Sequence, residues 1–110
     1  MNEGLSNNFE GKQEHIPSLE EVRAIFEQFL KGKEYEEIRR KEDEQGLYLW
    51  DIRIPDEEGN IEYSYMRKGR YTEGQASTTA IHVIFFDKEG LPVGGHSVAK
   101  YVNNEWGFTP

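Results

Sequence analysis

The sequence predicts an α+β domain in which one amphipathic helix packs across a curved, mainly antiparallel sheet of four to five strands. Three observations carry that reading. Residues 19–30 place apolar side chains at helical spacing. From Leu47 onward the apolar spacing drops to two. Turn clusters containing glycine recur between the alternating runs.

With 110 residues the chain suits one domain, divided into a disordered tail (1–15) and a folded part (16–110). The tail is rich in Asn, Glu and Gly, and Leu5 and Phe9 are its large apolar residues. Such a segment cannot bury enough surface to offset its ordering entropy. It lacks the apolar core of a secretory signal, and no apolar run in the chain approaches the length that spans a bilayer.

The helix has a start and a stop. Ser18 is the N-cap and Glu21 lies three residues on, which makes a capping box. Leu19, Val22, Ile25, Phe26, Phe29 and Leu30 then form one stripe on a helix expected over 19–31, with Gly32 taking the left-handed position after it. Residues 33–45 are charged, with Tyr35 and Ile38 as the apolar exceptions. They suit a short helix or, preferably, an edge strand protected by charge, because Gly32 and Gly46 bound them.

Tyr48, Trp50, Ile52 and Ile54 alternate with Leu49, Asp51 and Arg53, as in a half-buried strand. A turn over 55–60 leads to Ile61, Tyr63 and Tyr65. Opposing Ile54 with Ile61, Ile52 with Tyr63 and Trp50 with Tyr65 puts every large apolar residue on one face, and that fixes the register. A polar loop (68–77) precedes residues 78–86, which are β-branched, aromatic and apolar on both faces and therefore central. After the turn Asp87-Lys88-Glu89-Gly90, a further strand over 93–102 is interrupted by Gly94-Gly95, a mark of a bulge or bend. Asn103-Asn104 turns the chain, and Trp106 and Phe108 add a short strand or plug the core. The element order is similar in layout to cystatin-like or NTF2-like cones, with no residue motif that names a family.

Composition limits function. Charged residues make up 31% and the formal net charge is −8, which disfavours a general nucleic-acid binder and is compatible with a basic protein partner. Aromatics reach 13%, enough for a core despite a hydrophobic fraction of 35%. The absence of cysteine excludes disulfides, thiolate metal sites and a cysteine nucleophile, and a cytoplasmic home is the simplest.

The candidate ligand-binding residues are Trp50, Tyr63, Tyr65, Arg67, Arg70, His82 and His96. Trp50, Tyr63 and Tyr65 either line a pocket on the concave side of the sheet, with Asp51, Glu73 or a histidine as polar handle, or form core beneath the helix. The core reading is the commoner outcome for large rings. Arg67, Lys68 and Arg70, beside Tyr65 and Tyr71, hold an anion or stack on bases, or else are solvated and paired with Glu62 and Glu73. A three-residue loop over 88–90 sets His82 opposite His96, where two imidazoles can share a metal or a proton. A four-residue loop sets His82 opposite Ser97, and the pair is lost. Half-buried strand histidines are the simpler reading, and no metal or cofactor is implied by spacing. The cluster Asp56, Glu57, Glu58 and Asn60 lacks the ligand spacing of a calcium loop, Gly94-Gly95 is not a phosphate loop, and no serine sits in a nucleophile elbow.

These features lead to the expectation of a small, acidic, non-catalytic module that binds a protein partner as an inhibitor, immunity factor or regulator. One alternative is a small-ligand protein or minor enzyme using His82, His96 or Asp51 in a pocket between helix and sheet. The other is a weak nucleic-acid binder acting through Arg67 to Tyr71. A homodimer through the sheet face or an edge strand is compatible with each.

Overall fold

The computed structural model describes residues 15–70 and 76–109. The expected disordered tail lies outside the described residues except for His15, and so do Tyr71, Glu73 and Gly74 of the polar loop. His15 is held: its backbone N–H donates to Asn104 Oδ1 at 3.0 Å, and its ring lies 2.8 Å from Glu21 Oε1.

Helix α1 (Leu19–Leu30) begins where the capping box puts it. Glu21 N–H donates to Ser18 Oγ at 3.2 Å, and Ser18 N–H donates to Glu21 Oε1 at 2.9 Å. Two orphan amides at the helix start are thereby satisfied. The helix ends one residue before the expected Lys31. Lys31 itself turns left-handed with φ of 53°, ahead of Gly32 with φ of 86°.

Six strands follow: β1 (Glu36–Asp43), β2 (Gly46–Asp56), β3 (Gly59–Met66), β4 (Thr79–Phe86), β5 (Pro92–Val102) and β6 (Glu105–Phe108). They form one open antiparallel meander in the order β1-β2-β3-β4-β5-β6. The expected four to five strands become six because the charged segment and the terminal Trp106-Phe108 stretch both pair. The β2–β3 register matches Trp50 with Tyr65, Ile52 with Tyr63 and Ile54 with Ile61, as the one-face argument requires.

Helix and sheet share one core. Val22, Ile25, Phe26 and Leu30 pack with Leu47, Trp50, Ile52, Ile54, Tyr65, Ile81, Val83, Val98 and Ala99. Phe26 sits 5.1 Å from the Trp50 ring, and Phe29 stacks on Tyr63 at 5.3 Å and 13°. The opposite face of the sheet carries Leu49, Asp51, Ser64, Ala80, His82 and Ile84. Asp51 is buried there, with Oδ2 taking Arg39 Nε at 2.6 Å and Oδ1 without a partner among the described residues.

Two glycines are steric requirements. A Cβ on Gly59 would strike the Phe86 carbonyl oxygen and lie 2.6 Å from the Asp87 carbonyl carbon, and its φ of 146° is itself open only to glycine. A Cβ on Gly95 would lie 2.6 Å from the Val83 carbonyl oxygen. The first packs the β2–β3 turn against the β4–β5 turn, and the second draws β5 close to β4. Among the described residues, no helix is long and apolar enough to cross a membrane.

Candidate functional site

The aromatic candidates are core. Trp50 and Tyr65 are 1% and 0% exposed beneath α1, and Tyr63 packs partly buried against Phe26 and Phe29. The Trp50 indole N–H reaches the β1 edge, where it donates to Glu37 Oε1 at 3.0 Å. These rings pack between helix and sheet, in line with the core reading and not with its pocket alternative.

Of the cations at the end of β3, Arg67 and Arg70 both pair with Asp43. Arg67 is buried and forms a two-pronged ion pair with Asp43, while its Nη1 also donates to the Gly46 and Leu47 carbonyls at 3.3 and 3.4 Å. Arg70 joins the same carboxylate at 3.1 Å and lies over the Tyr48 ring at 5.0 Å. Hydrogen bonding from Arg67 holds the Asp43 carboxyl well below the usual carboxylate range, against a smaller opposing effect of desolvation. Glu62, the partner anticipated from sequence, pairs instead with Arg53 at 2.8 Å. Glu73 and Tyr71 lie outside the described residues. The long-range partner Asp43 carried no local signal, because it is 24 residues from Arg67.

The histidines do not meet. The β4–β5 hairpin starts as a three-residue loop, with Asp87 N–H bonded to the Leu91 carbonyl at 2.9 Å. Phe86 then pairs with Pro92 but Phe85 with Gly94, so one residue is extra and the register slips by one. His82 therefore pairs with Ser97 and His96 with Val83, so the histidines are not directly opposite, although both line one groove. The loop matches the three-residue alternative while the pairing matches the four-residue one. A bulge beside Gly94-Gly95 reconciles the two.

His82 and Ser97 do make a contact, with Ser97 Oγ 3.2 Å from His82 Nδ1. Burial, reinforced by the Lys100 charge, pushes the His82 pKa down. The pair sits in a groove of about 650 Å³ on the sheet face opposite α1. Ala80, Gly94, Gly95 and Ser97 give the groove a floor of small residues, and Met66 and Ile84 flank it. Among the described residues, no group of three or more His, Asp or Glu is placed to hold a metal.

The groove borders an exposed backbone edge. β6 pairs only with Ala99–Val102 of the eleven-residue β5, and Thr109 N–H extends the cover to the Val98 carbonyl. On the side away from β4, residues 92–97 have no strand beside them among the described residues. They are exposed or half-buried, as are their neighbours Leu91 (61%) and Phe85 (37%), and Val93 is 66% exposed. The segment Leu-Pro-Val-Gly-Gly-His-Ser-Val (91–98) contains no acidic residue, lysine or arginine.

The opposite edge differs in kind. β1 reads Glu-Glu-Ile-Arg-Arg-Lys-Glu-Asp and is exposed along nearly its whole length. A two-fold antiparallel pairing of β1 with itself about its centre would set Glu36 against Asp43, Glu37 against Glu42 and Arg39 against Arg40. Like charges directly opposite are destabilising, so that edge resists self-pairing. The β5 edge has no such guard.

No protein-family model, no curated protein and no solved structure matches this chain.

Proposed function

We propose that this protein is a non-catalytic binding module that takes up an extended segment of a basic protein along the open edge of β5. The observation that carries the reading is the contrast between the two sheet edges: one is guarded by charge, the other is neutral, apolar and half-covered. Strand addition draws affinity from main-chain hydrogen bonds and specificity from pockets that receive alternate side chains. Residues 92–97 offer the first, and the adjoining groove with His82 and Ser97 offers the second. The net charge of −8 selects the sign of the partner, since it steers a basic protein inward and repels a second copy. The lack of cysteine supports a cytoplasmic setting for this encounter.

The test is a binding measurement on purified partners recovered with the intact protein. Val93→Asp and Gly94→Asp place charge on the β5 edge, where Gly94 has open space for a side chain, and Ile38→Asp on β1 is the control. Affinity for a basic partner should fall at least about tenfold in the β5 variants and stay unchanged in the control, with an on-rate that slows as salt is raised. Equal binding by all variants, or a stable homodimer occupying the β5 edge in sedimentation, overturns the reading.

The His82–Ser97 contact favours a second reading, in which the groove holds a small uncharged ligand. Saturable binding of a small molecule that is lost in His82→Gln, with no effect of the β5-edge variants, would replace the first reading with this one.

A further inference from the structure

The open edge of β5 carries two glycines in succession. Gly94 pairs with Phe85 of β4 and Gly95 with Ile84. Successive residues of a strand face opposite sides of the sheet. Ile84 is half-buried and lines the groove on the face away from α1. Phe85 is on the helix face, opposite Ile61, and is 37% exposed. Because β5 has no side chain at either glycine, nothing of β5 stands between these two residues and a strand laid along the edge. A large side chain on an incoming strand can cover a glycine of its neighbour. Such a strand can therefore place one large residue over Gly94 against Phe85 and the next over Gly95 against Ile84. The close approach of β5 to β4 at Gly95, where a Cβ would lie 2.6 Å from the Val83 carbonyl oxygen, shortens the reach to Ile84.

The two ends of this edge differ in charge. At the Pro92 end the β2–β3 and β4–β5 turns pack together, since Gly59 lies against the Phe86 carbonyl and Asp87. These turns hold Asp56, Glu57, Glu58, Asp87 and Glu89 against the one cation Lys88. Asp56 and Asp87 accept backbone N–H groups of their own turns. Glu57, Glu58 and Glu89 are exposed and have no ion-pair partner among the described residues. At the other end β6 closes the edge from Ala99 onward, and Lys100 and His82 line a groove with no acidic residue among its described lining. Every pairing in the sheet is antiparallel, so a strand that continues the pattern runs from Ser97 towards Pro92.

We infer that the segment taken up by β5 carries two adjacent large apolar residues, followed on their C-terminal side by lysine or arginine. The inference rests on the strand addition proposed above and adds the sequence that the edge selects. The apolar pair straddles Gly94-Gly95, one residue on each face of the sheet, and the basic end lies beside the acidic turns.

The probes are three end-capped peptides, titrated into the intact protein by calorimetry and by backbone amide chemical shifts. They are Thr-Thr-Ile-Phe-Thr-Lys-Lys, its reversal, and Thr-Thr-Ser-Thr-Thr-Lys-Lys, which keeps the charge and lacks the apolar pair. The first should bind saturably, at least about tenfold more tightly than either of the others. Phe85→Thr should weaken it by at least about tenfold, whereas Phe85→Leu, which keeps an apolar side chain, should retain most of the affinity. Glu58→Lys combined with Glu89→Lys should weaken it similarly. Glu44→Lys combined with Glu105→Lys makes the same change in net charge at the far end of the sheet and should have a much smaller effect. Thermal denaturation of each variant separates lost folding from lost contact. A reversed or polar peptide that binds as tightly as the first overturns the inference, and so does binding that Phe85→Thr and the acidic-turn variant leave intact. Strand addition survives either result if Gly94→Asp still abolishes binding. Peptide binding that Gly94→Asp leaves unchanged overturns both. If no peptide binds, the sequence preference falls, and strand addition is decided by the recovered basic partner.

Discussion

Replacing Phe26 with alanine tests whether α1 is truly part of the core. Phe26 is 1% exposed, and its ring lies 5.1 Å from Trp50 and 6.4 Å from Tyr63. Removing a fully buried phenyl forfeits about 2–3 kcal/mol of transfer free energy. The two tilted ring contacts add about 1 kcal/mol, and the cavity left against the rigid sheet adds more. The expected loss is therefore about 4 kcal/mol, which for a domain of this size lowers Tm by roughly 20 °C. The assay is reversible urea and thermal unfolding followed by tryptophan fluorescence and far-ultraviolet circular dichroism. Leu91→Ala, at a site 61% exposed, is the reference and should stay within about 0.5 kcal/mol of the parent. A loss below about 1 kcal/mol for Phe26→Ala would refute the packing of α1 on this sheet.

Other outcomes follow from single features. Ser18→Ala removes the hydroxyl that caps α1 and should cost about 1 kcal/mol in denaturant unfolding, with little effect if the first turn is not held by its capping box. Gly95→Ala forces a methyl to within 2.6 Å of the Val83 carbonyl, so Tm should fall even though the backbone there needs no positive φ; an unchanged Tm would mean β5 is free to move from β4. Asp43 ionises more readily in the folded protein than in the unfolded chain, chiefly through its hydrogen bond from Arg67. Its contribution is therefore present above the unfolded value of 3.8 and is lost as pH falls, and Asp43→Asn should flatten the acid limb of a stability–pH curve. His82 is depressed below its ordinary 6.5 by burial and by Lys100. The unfolded state thus takes up the proton first, and stability should decline as pH drops from neutrality through 6.5; His82→Gln should remove that decline.

Local patterns were legible where one physical constraint dominated. The Ser18–Glu21 capping box located the helix start because both residues bond only to neighbours in sequence. The β2–β3 register was legible because a slip of one residue would have turned Trp50, Ile52 and Ile54 to the wrong face. The β4–β5 register was not, because the bulge near Gly94-Gly95 depends on how closely β5 approaches Val83, and glycine spacing alone does not count residues in a bulge. The charged β1 matches the preferred edge-strand reading, and the sixth strand is the four-residue β6, too short to show the alternation that marks a buried strand. Of the candidate site residues, the role of Arg67 was hidden by distance along the chain, since its acid partner lies two strands earlier. The aromatic trio was recognised as either pocket or core, and only the placement of α1 over Trp50 and Tyr65 decides between them.

The order of the meander has a consequence for how the chain acquires its structure. Every strand pairs with its immediate successor, so the sheet can grow hairpin by hairpin without waiting for distant segments to find one another. The helix is in the opposite position. It is made first, but a twelve-residue helix is marginal on its own in water, and its apolar stripe lies against residues as late as Val98 and Ala99. Docking of α1 is thus a closing step, reached only once the β5 residues have left the ribosome. Mutational rate analysis should find Val22 and Phe26 silent in the folding rate and expressed in the unfolding rate, while Ile52 and Tyr63 in the central hairpin affect folding itself. Until that step, the stripe that later becomes the core is the surface most exposed to chaperones.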